Sequence, residues 1–404
     1  MNTPANPLPH PPAPRAVSLL LNVGHAVDHM FLLIFATAVA SIAADFGYSN
    51  WTDLMPYGVG AFFMFGLGAL PAGRLGDMWG RRVMMIIFFA GMGIAAILVA
   101  LTQNAWQLAG ALVVLGSFAA IYHPVGIPML VERVHNPGHV IGVNGLAGNL
   151  GIAVAALVTG FLIKWFGWRT AFALPGVLSL GCAVLFAIYC PRETEAPSRR
   201  KGGKAVVQLT PAMLARAFMV MTVAAIASSL IFNFTTNGNA QLLAEGFRGI
   251  LEDPAMLGAL LALVYAVASL TQLVVGRLID TMPFKPLQLW MSIAQIPLLI
   301  FVAHAQSWWL FAGLLGTMML VFGSIPFTDA MIVRYVDDRL RSRVAGMRLT
   351  VAFGISSFAV WLLGPLVKNI GFTHALWIMA GIAIVRSLIV LMLPDEPAAQ
   401  SAPA

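Results

Sequence analysis

Twelve runs of apolar residues, each long enough to cross a bilayer, leave this chain few ways to fold. A hydrocarbon core of about 30 Å takes about 20 residues of α-helix. The runs fall at 16–43, 52–73, 83–102, 106–130, 140–163, 168–190, 213–238, 255–279, 286–304, 307–332, 343–366 and 372–393. Only 10% of the residues are charged and 59% are hydrophobic. A soluble domain carries about 25% charged residues, so this chain has too few to clothe itself in a wetted surface. The reading is an all-α integral membrane protein of twelve transmembrane helices. The connections are mostly short and leave little chain for a separate soluble domain.

Basic residues set the expected orientation. With Arg15, the even-numbered connections and the C-terminus on one side, that side gathers Arg74, Arg81, Arg82, Arg133, Arg199, Arg200, Lys201, Lys204 and many more. The other side holds Lys164, Arg169, Arg248 and Lys368. By the positive-inside rule the first side is cytoplasmic and both termini lie there. The expected location is a bacterial-type inner membrane. Because the bilayer explains the high isoelectric point, no nucleic-acid partner is expected. The proline-rich start lacks a charged region followed by a cleavage site and reads as a disordered tail. Cys182 and Cys190 share one helix and read as packing residues.

The chain repeats itself. Gly73-Arg-Leu-Gly-Asp77 returns as Gly276-Arg-Leu-Ile-Asp280, a shift of 203. Phe166-Gly-Trp-Arg-Thr-Ala-Phe172 returns weakly as Ile370-Gly-Phe-Thr-His-Ala-Leu376, a shift of 204, and Pro124 matches Pro326 at 202. Six helices are thus followed by six related ones of the same sidedness, a parallel repeat about an axis along the membrane normal. The expected domains are a tail at 1–15, a bundle at 16–190, a cytoplasmic linker at 191–212, a second bundle at 213–393 and a tail at 394–404. Two such bundles enclose a pathway, so a monomer suffices.

The fullest motif is Gly73-Arg-Leu-Gly-Asp-Met-Trp-Gly-Arg-Arg82. Gly73 and Gly80 permit a tight turn and close helix approach. Asp77 can accept from backbone N–H groups or pair with arginine, and Arg81 and Arg82 hold the surface. Together they can latch one face of a rocking protein, with Asp280 as the degenerate second copy; a turn that only sets topology is the plainer role.

This motif, the twelve helices and the repeat resemble the major facilitator superfamily. The resemblance implies two pseudo-symmetric six-helix bundles, alternating access, and a central cavity lined by helices 1, 4, 7 and 10. Gly24-His-Ala-Val-Asp28 and His123-Pro124 are similar, more narrowly, to fosmidomycin-resistance-type exporters. Helix 5 has the glycines of the antiporter signature without its proline.

Helix 1 carries the costliest residues. Asp28 lies near its middle, where an ionisable group costs about 3 kcal/mol. Asn22, His25 and His29 share a face at i, i+3 and i+7, with Asp28 on the same or the next stripe. Three roles remain open: proton coupling through Asp28 with His25 or His29, direct substrate contact, or a fixed brace between helices. His123 in helix 4, and Asn233 and Asn237 in an amide-rich stretch of helix 7, extend the candidate cavity. That stretch reads as locally unwound or as lying at the outer surface. Arg386 reads as snorkelling from helix 12, and Trp51, Trp106, Trp168, Trp308 and Trp309 as an interfacial belt.

No phosphate-binding loop, zinc-protease spacing or serine elbow occurs. The expectation is therefore a transporter rather than an enzyme, with no cofactor and no metal. Its partners are a small-molecule substrate, protons and the bilayer. Proton-coupled export of a toxic or amphipathic compound (drug/proton antiport) leads; proton-linked uptake of a nutrient or metabolite is the alternative, and a membrane-embedded enzyme or receptor the remote one.

Overall fold

The structure is a computed structural model and describes residues 15–131, 137–192, 211–327 and 338–393. The expected tails and most of the linker lie outside the described residues. The described elements are helical throughout. Eleven are long and apolar enough to span a membrane. They are α1 (Arg15–Asp45), α2 (Trp51–Gly76), α3 (Arg81–Ala100), α4 (Ala105–Leu130), α5 (Val140–Phe166), α6 (Trp168–Tyr189), α7 (Ala215–Gly246), α8 (Pro254–Ile279), α9 (Phe284–His304), α10 (Ser307–Phe327) and Met347–Leu391. The last bends at Gly371, whose φ is +73°, into α11 and α12, which completes the twelve.

Local chemistry sets the helix starts. Asn50 and Asn104 cap α2 and α4 by accepting from Thr52 N and Gln107 N. Asp253 caps α8 ahead of Pro254, the residue that best tolerates the first helical position. The weak repeat between 166 and 376 has a backbone reason. Gly167 and Gly371 both turn with positive φ, +81° and +73°, where a side chain would be strained.

The halves meet chiefly along α5 with α8 and along α2 with α11. Both seams are tightest at the face opposite Arg15 and Leu393, called here the distal face. A Cβ on Gly160 would lie 2.5 Å from the Pro254 carbonyl oxygen, and one on Gly364 would lie 2.1 Å from that of Thr52. One turn beyond each glycine sits a lysine, and each lysine pairs with an aspartate of the other half: Lys164 with Asp253, and Lys368 with Asp53. Gly160 and Gly364 are 204 residues apart, as are Lys164 and Lys368; Asp53 and Asp253 are 200 apart. The distal face is thus held by two matching clasps.

Three readings need correction. The amide-rich stretch of α7 is not unwound, because its side chains bond back to their own helix: Asn233 Nδ2 to Ser229 O, Asn237 Nδ2 to Asn233 O, and Thr236 Oγ1 to Phe232 O. Arg386 does not snorkel. It is 2% exposed and donates from Nη1 to Ser228 Oγ of α7. Trp168 is buried rather than interfacial, donating to Asp45 Oδ2 under the Arg169 guanidinium.

Candidate functional site

The site is built from α1 and α4, with α5 behind them. Pro124 has no N–H to give to the helix ladder, and Tyr122–Gly126 winds as a wider π-helical turn. Such turns recur at functional positions. Here it brings Tyr122 and His123 against His25 of α1, with ring centroids at 4.8 and 5.0 Å.

His25 is fixed from one side. Its Nδ1 donates to the backbone carbonyl of Asn144 on α5 at 2.7 Å. A carbonyl only accepts, so Nδ1 carries the proton and the neutral ring presents a bare Nε2. That Nε2 lies 3.1 Å from His29 Nε2, which is the donor in the neutral pair. Tyr122 stacks on His25 with 13° between planes. Its hydroxyl donates to Leu21 O and accepts from Asn144 Nδ2, each at 2.7 Å, and the same amide donates to Asn22 Oδ1 at 2.9 Å. Gly148 on α5 makes the space, since a Cβ there would fall 2.6 Å from the His25 ring.

Asp28 has no such support. It is 0% exposed, and neither carboxyl oxygen has a hydrogen-bond partner. Its nearest cation-capable neighbour is His123, with Nε2 3.6 Å from Oδ2. That is within ion-pair reach and beyond a hydrogen bond. His123 Nε2 is likewise buried without a partner. His25, His29 and His123 each offer a ring nitrogen within 4.8 Å of the others', so they are the described residues best placed to hold a metal.

The second half faces this cluster across a nearly closed space. His29, Leu32, Phe62 and Phe65 line one side, with Phe232, Asn233, Thr236 and Phe353 opposite. Its volume is about 20 Å³, room for about one water. A larger hollow of about 470 Å³ opens between the halves beside Tyr48, Trp51, Arg248 and Lys368. It is a mouth at the distal face and does not reach the histidines.

The structure therefore groups Asn22, His25, Asp28, His29 and His123, and sets Asn233 across the gap. Asn237 is 0% exposed, one turn further along α7, with Oδ1 unpartnered. In the loop motif, Gly80 turns with φ +93°, and a Cβ on Gly73 would sit 3.3 Å from Pro124. Arg82 donates to Cys190 O and Ala187 O at 2.8 and 2.6 Å, tying α3 to α6 within the first half. Arg81 heads α3. The side chains of Asp77 and Asp280 lie outside those described. Tyr122, Asn144 and Gly148 are site residues that the sequence did not single out. Tyr122 had the one available signal, its place beside His123-Pro124.

The profile of the Major Facilitator Superfamily matches residues 21–323. The chain belongs to the major facilitator superfamily. Among curated relatives, the multidrug resistance protein MdtG of Serratia proteamaculans is 25% identical over 296 residues, 70% of this chain and 69% of that protein. The protein of the same name from Dickeya zeae is 28% identical over 291 residues, 70% of each. Two solved structures share the fold at 14% identity. A D-xylose-proton symporter has a TM-score of 0.75, covering 94% of this chain and 98% of that one. A bacterial homologue of the human lysosomal transporter Spinster, inward-facing and occupied, has a TM-score of 0.72, covering 93% and 96%. The superfamily's two-bundle architecture is thus the architecture of this multi-pass membrane protein.

Proposed function

We propose that the chain is a secondary transporter of a bacterial-type inner membrane that exports a toxic or amphipathic small molecule in exchange for protons. Asp28 carries the proton, with His25 and His29 beside it. The observation that carries this reading is a fully buried carboxyl with two unpartnered oxygens, set among imidazoles where two rocking halves meet. A folded chain bonds nearly all its buried polar atoms, so a group left free there is kept for exchange. Intramembrane ionisable residues of this kind mark proton and substrate paths.

Relatives named for multidrug resistance support the outward direction. The central walls support the substrate class: Phe62, Phe65, Phe232 and Phe353 offer apolar surface, while His29, Asn233 and Thr236 offer a polar corner. His123, Asn22 and Asn237 extend that corner as alternating access widens it. Gly73, Asp77, Gly80, Arg81, Arg82 and Asp280 form the cytoplasmic latch, and the protein works as a monomer with both termini inside.

The test is resistance in an efflux-deficient bacterium. Wild type and Asp28→Asn are expressed at matched membrane levels and screened against a panel of toxic compounds. Resistance conferred by the wild type and lost in Asp28→Asn is the expected result. Resistance that survives in Asp28→Asn removes Asp28 as carrier. Sensitisation to a compound would instead mean uptake.

A further inference from the structure

We propose that His25, His29 and His123, with Asp28 beside them, form an exchangeable binding site for a divalent transition cation such as Zn²⁺ or Co²⁺. Two of the ligands stand one helical turn apart as His25-Ala-Val-Asp-His29, a spacing that lets two imidazoles meet one ion. The third, His123, comes from a helix about a hundred residues on, so the sequence does not show the full set.

The donor set is suited to such an ion. Imidazole nitrogen favours the borderline transition cations over Mg²⁺ or Ca²⁺. Two ligands on one tetrahedral Zn²⁺, at about 2.0 Å each, stand about 3.3 Å apart. The His25–His29 nitrogens are 3.1 Å apart and His123 Nε2 is 3.6 Å from Asp28 Oδ2. The widest separation among the three imidazole nitrogens is 4.8 Å, so binding draws the rings together by about 1.5 Å. The outer support is already built. A metal-bound histidine nearly always donates its other N–H to a carbonyl or carboxylate, and His25 Nδ1 does so to Asn144 O. For His29 to ligate through Nε2, its proton shifts to Nδ1, which turns the present ring-to-ring hydrogen bond into two lone pairs facing one ion.

Two further observations make the site exchangeable rather than structural. His123 Nε2 and both Asp28 oxygens are buried without partners, so donors are available before the ion arrives. All four side chains belong to the first half, and His29 borders the central space opposite Asn233 and Thr236. Three imidazoles leave the fourth position of a tetrahedral ion to Asp28 or to a small ligand, and a position not permanently filled is what working sites keep. The proposal rests on the proposed transport reading for the site's place only, not for direction or proton exchange.

The full-length protein, purified in detergent through a tag without histidine, is titrated with Co²⁺ alone. Visible d–d absorption that saturates, and is displaced by Zn²⁺, is expected. His123→Gln and His29→Gln weaken binding by about 100-fold or more, beyond the about 10- to 100-fold typical of outer partners. His304→Gln with His374→Gln leaves it unchanged, which separates the cluster from exposed histidines. Each variant is first shown to be monodisperse. Zn²⁺ raises the melting temperature of the wild type and not of the cluster variants. No absorption band in the wild type, or equal bands in the wild type and both cluster variants, overturns the site. A wild type that confers resistance yet binds no Co²⁺ sinks the metal site alone, and one that binds Co²⁺ without conferring resistance sinks export alone.

Discussion

Replacing Gly364 by alanine should hold the distal face open. The added Cβ would lie 2.1 Å from the Thr52 carbonyl oxygen, where ordinary contact begins at 3.4 Å. The α2–α11 seam must therefore part by about 1.3 Å, and the obstacle is backbone that cannot rotate away. Overpacking of this kind costs about 1–3 kcal/mol. Here the cost falls only on the closed arrangement, so the open population rises by about 5- to 150-fold. Gly160→Ala meets the Pro254 carbonyl at 2.5 Å and should act the same way with a smaller effect. The reporter is Thr236→Cys, which lines the central space, in a background with Cys182 and Cys190 replaced. A membrane-impermeant maleimide added from the distal side should label it faster in Gly364→Ala, then Gly160→Ala, then the parent. Gly381, with open space around it, gives the control substitution. Equal labelling rates in a folded Gly364→Ala protein would refute the claim that this contact seals the distal face.

Two further outcomes follow from the same geometry. Lys164, bonded to the Asp253 carboxylate, holds that carboxyl below the usual carboxylate range. A depressed folded value means that the clasp contributes fully above about pH 4 and weakens as pH falls through the lower folded value. The ratio of the distal labelling rates of Thr236→Cys with and without Lys164→Met should therefore stay flat from about pH 8 to 5, the thiol's own pH dependence cancelling. A change in that ratio centred near neutrality would contradict this. Tyr122→Phe removes the hydroxyl that serves both Leu21 O and Asn144 Nδ2. Asn144 Nδ2 keeps Asn22 Oδ1, so the loss is that of two hydrogen bonds, about 0.5–1.5 kcal/mol each. A thermal unfolding series reads this as a lower melting temperature; an unchanged value would mean that neither bond contributes to stability.

What could be read in advance follows the range of each interaction. Spans, repeat and the stripe of Asn22, His25 and His29 depend on neighbours within a turn or two, so periodicity exposes them. His123 looked solitary because its partners are about a hundred residues away. Only the π-helical turn at Pro124 sets it against α1. Asn144 and Gly148 serve the site through a backbone carbonyl and an empty volume, neither of which residue type announces. The amides of α7 misled for the opposite reason: Asn233 and Asn237 bond to carbonyls of their own helix, which needs no unwinding. Arg386 was placed by depth alone, whereas the face it occupies turns it towards Ser228.

The doubled clasp bears on speed. One ion pair strong enough to seal the distal face alone would also release slowly, because the whole attraction must be lost in one step. Two exposed pairs, each weak on its own, multiply their biases while breaking one at a time. The first rupture leaves the other seam in register, so a transient break at one clasp recloses before the barrier fails. Turnover can then stay fast while leakage needs two coincident events.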